Sequence, residues 1–255
     1  MYEKINAALN QLEQTRGIRI LFACESGSRA WGFPSPDSDY DVRFLYAQPL
    51  NWYLRIGTGK DTIDLGVDDD LLDITGWELR KTLQLLRKSN ASPIDWIQSP
   101  IVYRADPAFR ATFTDLSREC FSPIGTLFHY LSMAKRYAAG CQRAEPQKLK
   151  SWFYALRTAL NCRWILRRGS APPMAFDQLL PLVEETPGVR EKIEAWMLIK
   201  RREVESYRHP GDPVLLALVL DCIREAEEKG PQLAGGQPSV DRINDFFRTW
   251  ILPTP

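Results

Sequence analysis

The chain has 255 residues, 44% of them hydrophobic and 25% charged, and its net charge is +1. That length suits one large domain or two small ones with an ample core, and so even a charge says nothing by itself about partners. The five cysteines are odd in number and show no CxxC spacing, which excludes a disulfide scaffold and a zinc knuckle and fits a reducing compartment.

In chain order, Ile5, Ala8, Leu9 and Leu12 recur at helical spacing over residues 2–14, and Gly17 is the stop. Residues 18–24 read as a buried strand that runs into a Gly27-Ser28 turn. Pro34 and Pro36 keep the next segment irregular, and residues 40–47 read as a second strand. Residues 62–67 and 71–75 suit the two arms of a hairpin joined by the acidic turn Asp68-Asp69-Asp70. A helix is expected over 77–87, ended by Asn90-Ala91-Ser92-Pro93, with short apolar segments at 94–97 and 101–103. From Pro123 the pattern is helical, with stretches expected at 127–139, 149–166, 176–183, 189–207 and 214–228. A Gly/Pro-rich connector covers 230–238 and a last helix covers 241–250. No apolar run approaches the roughly 18 residues of a membrane span, and the start of the chain lacks the apolar core of a signal peptide. A cytoplasmic protein with no membrane contact is expected.

The chemistry concentrates between Gly27 and Arg43. Alternation along a strand puts Asp39 and Asp41 on one face. Two such carboxylates repel unless one is protonated or a divalent cation binds. A Gly-Ser turn facing them offers backbone N–H groups and a hydroxyl, which suit a polyphosphate. Carboxylate-held metals are a general solution for in-line displacement at phosphorus, and a third acid is then expected from a neighbouring strand. Asp73, between Leu72 and Ile74, is the preferred candidate; Asp64 competes, and Asp68–Asp70 read as a solvated turn. Arg29, beside the turn, suits leaving-group charge or an ion pair with Asp37 or Asp39. Arg43 shares the carboxylate face as a substrate contact or an ion-pair partner. Ser28 as a nucleophile is disfavoured, because the chain has two histidines and no G-x-S-x-G.

The run Gly-Ser-Arg-Ala-Trp-Gly-Phe followed by Ser-Asp-Tyr-Asp-Val-Arg-Phe-Leu-Tyr resembles the signature of the DNA polymerase β-type nucleotidyltransferase superfamily. It is similar to the branch containing YcgL-like proteins and RNA-ligase-associated proteins of RNA-repair operons. Residues 73–81, 86–90, 95–100 and 152–157 extend the resemblance over roughly 16–182. It implies an α+β fold, a small mixed sheet with flanking helices followed by an all-helical part, divided here as 1–117 and 118–255. It also implies metal ligands at Asp39, Asp41 and Asp73 for Mg²⁺ or Mn²⁺, and triphosphate contacts at Gly27 and Ser28.

The expected reaction is transfer of NMP, with ATP as the preferred NTP, to a hydroxyl with release of pyrophosphate. Residues 118–208 carry 16 Lys and Arg against 9 Asp and Glu, a net of +7, whereas 1–117 carry −3. The basic stretch is the expected landing place for an RNA end, with Lys148, Lys150, Tyr154 and Arg157 as candidate acceptor contacts. Tyr154 and Arg157 are spaced i, i+3 for stacking on a base and gripping a phosphate. A small-molecule or protein acceptor and an inactive nucleotide- or RNA-binding module are the alternatives.

Overall fold

Runs of apolar residues at strand and helix periods organise the chain into an α+β architecture, seen in a computed structural model that describes residues 1–57, 59–143, 145–236 and 238–252. In chain order the first elements are α1 (Tyr2–Arg16), β1 (Arg19–Ser26), α2 (Gly27–Trp31), β2 (Tyr40–Ala47), α3 (Leu50–Tyr53), β3 (Thr62–Val67) and β4 (Leu72–Glu78). Then come α4 (Leu79–Arg87), α5 (Ala91–Ile97), β5 (Val102–Ala105), α6 (Pro107–Cys120), α7 (Pro123–Cys141), β6 (Gln147–Lys148) and α8 (Leu149–Arg168). A 3-10 stretch (Phe176–Val183), α9 (Val189–Arg202), β7 (Arg208–His209), α10 (Pro213–Lys229), a 3-10 turn (Gly230–Gln232) and α11 (Val240–Ile251) complete it. No helix among the described residues is long and apolar enough to cross a membrane.

Two compact units divide the described residues, and the division does not follow one cut in the chain. Unit 1 takes Met1–Ala30, Asp39–Cys120 and Gln237–Pro255; unit 2 takes Trp31–Ser38 and Phe121–Gly236. A single boundary after residue 117 falls inside α6, so the partition into 1–117 and 118–255 differs from these units in both directions.

Unit 1 is built on a five-stranded sheet of order β3-β4-β2-β1-β5. β2 and β4 run parallel and the other pairs antiparallel. Ile5, Leu9 and Leu12 of α1 pack against Val42, Phe44, Tyr46, Leu72 and Ile74 on one face. Strand alternation then leaves Asp41, Arg43, Asp73 and Thr75 on the other. α11 closes this unit: Phe246 packs on Phe109 and Phe113 of α6 at ring separations of 5.7 and 5.8 Å, and Trp250 meets Phe109 at 5.0 Å.

Unit 2 is helical apart from the antiparallel β6–β7 pair. Arg163 of α8 is buried and pairs with Asp221 at 2.7 Å and Glu225 at 3.1 Å on α10. The segment 31–38 is part of this core, since Phe33 stacks on Phe153 at 4.6 Å and meets Phe176 edge-on at 5.4 Å.

Several local expectations need correction. Asn90-Ala91-Ser92-Pro93 begins α5 instead of ending a helix: the Asn90 side chain accepts from Ser92 N–H, and Pro93 sits in the first turn, where its missing donor is harmless. α6 was not expected, although Phe109, Phe113 and Leu116 line its buried face. The stretch 176–183 is 3-10 helix with Pro181 inside it. α9 ends at Arg202, five residues before its expected end.

The β2–β4 contact supplies a stability prediction. Gly76 lies opposite Phe44, and a Cβ there would come within 2.1 Å of the buried Phe44 ring. Gly76→Ala forces that ring out of place and is expected to lower the unfolding free energy by about 1–3 kcal/mol, measured by urea unfolding.

Candidate active site

The parallel register of β2 and β4 pairs Asp41 with Asp73. Alternation puts Arg43, two residues on, beside both. Its Nη2 donates to Asp41 Oδ1 at 2.9 Å and to Asp73 Oδ2 at 2.7 Å, and its Nη1 donates to the Asp73 carbonyl at 2.9 Å. One guanidinium thus neutralises two adjacent carboxylates, and Arg43 is an ion-pair partner of the pair. The three side chains are only 18–27% exposed, so solvent screens the contact incompletely.

Asp39 lies one residue before β2. Its carbonyl accepts from Arg29 Nε at 3.0 Å, and the Arg29 guanidinium lies 3.7 Å from the centre of the Tyr40 ring. Arg29 is therefore fixed beside the start of β2 by a backbone contact and an aromatic face. Asp64 sits one strand further out on β3, where its carboxylate accepts from Gly66 N–H at 3.0 Å and Thr75 Oγ1 at 3.4 Å. Asp68 closes the hairpin turn by accepting from Asp70 and Leu72 N–H, both at 2.9 Å.

There is no free-standing Gly-Ser turn. β1 continues to Ser26, and α2 begins directly at Gly27, with Ser28 buried. Gly27 adopts φ +62°, and a Cβ on it would lie 2.1 Å from Asp41 Oδ2. Both the left-handed backbone and the carboxylate pressed against it require glycine.

Sequence reading missed Glu25. It is fully buried at the end of β1, accepts from the Asp41 backbone N–H at 2.8 Å, and receives a hydrogen bond from the Tyr103 hydroxyl. Ser99 Oγ donates to the Glu25 carbonyl at 2.7 Å. Glu25 and Tyr103 together hold β2 where its carboxylates begin. The available signal was a lone acid inside an otherwise apolar strand.

The acceptor candidates all lie in unit 2. Lys148 is exposed on β6, and Lys150 pairs with Glu205 at 2.7 Å. Tyr154 and Arg157 do share a helix face, but that face engages Trp31: Tyr154 meets it edge-on at 5.0 Å, and the Arg157 guanidinium lies 4.4 Å from its ring centre. Arg157 is 4% exposed, so it is a packing residue of unit 2 and not a surface grip. The same loop is clasped further on, where Lys200 donates to Ser35 Oγ at 2.8 Å and Glu205 accepts from Ser38 Oγ at 2.9 Å. Asp37 accepts from Glu205 N–H at 2.8 Å.

Asp41 and Asp73 are hard oxygen donors already gathered around a cation, which is the donor chemistry Mg²⁺ or Mn²⁺ takes. They fit one such ion in exchange for the guanidinium. Asp39 does not complete a triad in this arrangement: among the described residues no three His, Cys, Asp or Glu side chains are grouped to hold a metal. All five cysteines are free and buried, and burial raises their thiol pKa values, so they offer no thiolate.

A model of the RNA repair pathway DNA polymerase beta family, RlaP, matches residues 1–249. The chain is 42% identical over 205 residues to the Bacillus subtilis (strain 168) protein named "Uncharacterized protein YcgL", covering 80% of this chain and 78% of that one. Among solved structures, a nucleotidyltransferase-like protein from Exiguobacterium sibiricum 255-15 matches 89% of this chain and 77% of its own. With 8% identity and a TM-score of 0.33, that likeness carries no argument.

Burial pushes the Glu25 carboxyl up from 4.5 to about 7, against the hydrogen bonds from Tyr103 and Asp41. A carboxyl raised in the folded state favours folding while protonated, and that contribution is lost as pH rises from 4.5 to about 7. Glu25→Gln is therefore expected to gain stability relative to the parent across this window, by at most about 3 kcal/mol, and to hold a constant difference above it. Urea unfolding at a series of pH values measures this.

Proposed function

The chain belongs to the RNA repair pathway DNA polymerase beta family, and from that membership and the site on β2 and β4 we propose that it is a nucleotidyltransferase moving NMP from an NTP to a hydroxyl. The observation that carries the reading is the Asp41–Asp73 pair, set side by side by the parallel register and bridged by Arg43.

In this reading Asp41 and Asp73 would hold the cation, with Asp39, one residue before β2, as the further carboxylate. A divalent ion bound there supplies charge neutralisation at the triphosphate and a lowered pKa for the attacking hydroxyl. Gly27 lets backbone come close to Asp41, and Arg29, held on Tyr40, offers positive charge where the leaving pyrophosphate accumulates it. Arg43 keeps the two carboxylates in register, and they would hold a divalent ion in exchange for its guanidinium. Glu25 and Tyr103 act through Asp41 as positioning residues. The family's name supports an RNA end as acceptor, and ATP is the proposed donor with Mg²⁺ or Mn²⁺.

A second reading, a nucleotide- or RNA-binding module without transfer, is favoured by one observation. Arg43 already fills the place between the carboxylates, and among the described residues no third acid joins them.

Pyrophosphate release from α-labelled NTP with Mg²⁺ and a panel of RNA ends, small alcohols and protein acceptors separates the two. Transfer predicts release that EDTA abolishes and that Asp41→Asn or Asp73→Asn each reduce by about a hundredfold or more. Release that survives the double variant overturns the metal-ligand assignment, and no release with any NTP or acceptor favours the binding module.

A further inference from the structure

A second cavity in unit 1, of about 460 Å³, lies at the far end of β2 from the carboxylates. Its floor includes Tyr46, five residues along the strand from Asp41, which is about 17 Å at strand rise. Only the rim of the cavity approaches the carboxylates, through Asp64, which faces Thr75 in the β3–β4 register.

Three cations line this cavity from two parts of the chain: Arg16 at the end of α1, and Arg55 and Lys60 on the segment that joins α3 to β3. Arg16 and Lys60 make no ion pair among the described residues. Arg55 lies on Trp52, 5.4 Å from the ring centre, and donates to the Trp52 carbonyl at 3.5 Å. The one acid in the lining, Asp64, is engaged by Gly66 and Thr75. The lining thus carries three cations against one acid, with the Glu78 and Asp61 charges lying behind it near Tyr46.

The floor adds an independent observation. Tyr46 is fully buried, and its hydroxyl has no hydrogen-bond partner among the described residues. Burial, reinforced by the nearby Glu78 and Asp61 charges, drives its phenol pKa upward, so the group is an O–H donor at any ordinary pH. A buried donor without an acceptor is costly, and Tyr46 lines the same cavity as the cations.

We propose that this cavity is a binding site for a small anion with two or more linked phosphates, held by Arg16, Arg55 and Lys60 and receiving a hydrogen bond from Tyr46. Linked phosphates bring enough charge and spread to reach cations on separate elements, and the volume lies within the range of small-ligand sites. The phosphate chain is the recognised part, and it can come from free pyrophosphate or from a nucleotide.

Calorimetric titration of the full chain in EDTA with phosphate, pyrophosphate, AMP and ATP tests this without involving transfer chemistry. Pyrophosphate and ATP are expected to bind more tightly than phosphate and AMP. Arg16→Gln with Lys60→Gln should weaken pyrophosphate binding about tenfold or more, with an unchanged circular dichroism spectrum, since both side chains are exposed. Tyr46→Phe should weaken it several-fold. Equal ATP and pyrophosphate affinity identifies the phosphate chain as the whole ligand, and tighter ATP adds the nucleoside. The proposal is overturned if pyrophosphate does not bind, if its affinity is indifferent to Arg16 and Lys60, or if those residues matter only to an RNA oligonucleotide.

Discussion

One guanidinium sets the terms for unit 1. The parallel pairing of β2 with β4 places Asp41 and Asp73 side by side, and like charges directly across a sheet oppose the pairing that brings them together. Arg43 removes the conflict because it sits two residues beyond Asp41 and so projects from the same face. Removing Arg43 would leave two half-buried carboxylates without compensation, and removing either acid would leave the guanidinium half-satisfied. The neighbours serve the same point. Glu25 takes the Asp41 N–H, Tyr103 holds Glu25, and Gly27 makes room for the Asp41 carboxylate. The site is a small network whose members are fixed by strand register before any ligand is considered.

What could be read in advance follows from how local the determinants are. The strand from Tyr40 to Ala47 and the acidic hairpin turn were legible because alternation and turn chemistry act over a few residues. Asp73, between Leu72 and Ile74, and Asp64, between Ile63 and Leu65, look alike locally, and it is the β2–β4 register that places Asp73 beside Asp41. Glu25 was illegible because its meaning depends on Tyr103, 78 residues away. α5 was lost because Asn90 and Pro93 serve equally well as stop signals and as start signals. Tyr154 and Arg157 show the limit of helix geometry: their spacing correctly put them on one face, but spacing cannot say that the face meets Trp31.

Segment charge also changes its meaning on folding. The excess of cations over 118–208 is partly answered by acids further along the same unit, as Arg163 finds Asp221 and Glu225, and Lys192 finds Asp212. Net charge counted along the chain is not charge displayed by a folded unit. The cavity floored by Tyr46 is the opposite case, since the fold brings Arg16 of α1 to Arg55 and Lys60, which follow it by about forty residues on one loop.

The segment from Trp31 to Ser38 belongs to unit 2, although the chain on both sides of it belongs to unit 1. Ser35 is 165 residues from its partner Lys200. At a synthesis rate of about 5–20 residues per second, a nascent chain leaves this loop without that partner for roughly 8–33 seconds. Phe33 waits almost as long, roughly 7–29 seconds, because its ring has no core to enter until Phe153 and Phe176 have been made. The newborn protein thus carries an apolar segment in the middle of its most chemically loaded stretch, where a chaperone would find a handhold. For the same reason the two units cannot be exchanged as cassettes by a single crossover in the gene, since any one cut strands either this loop or α11.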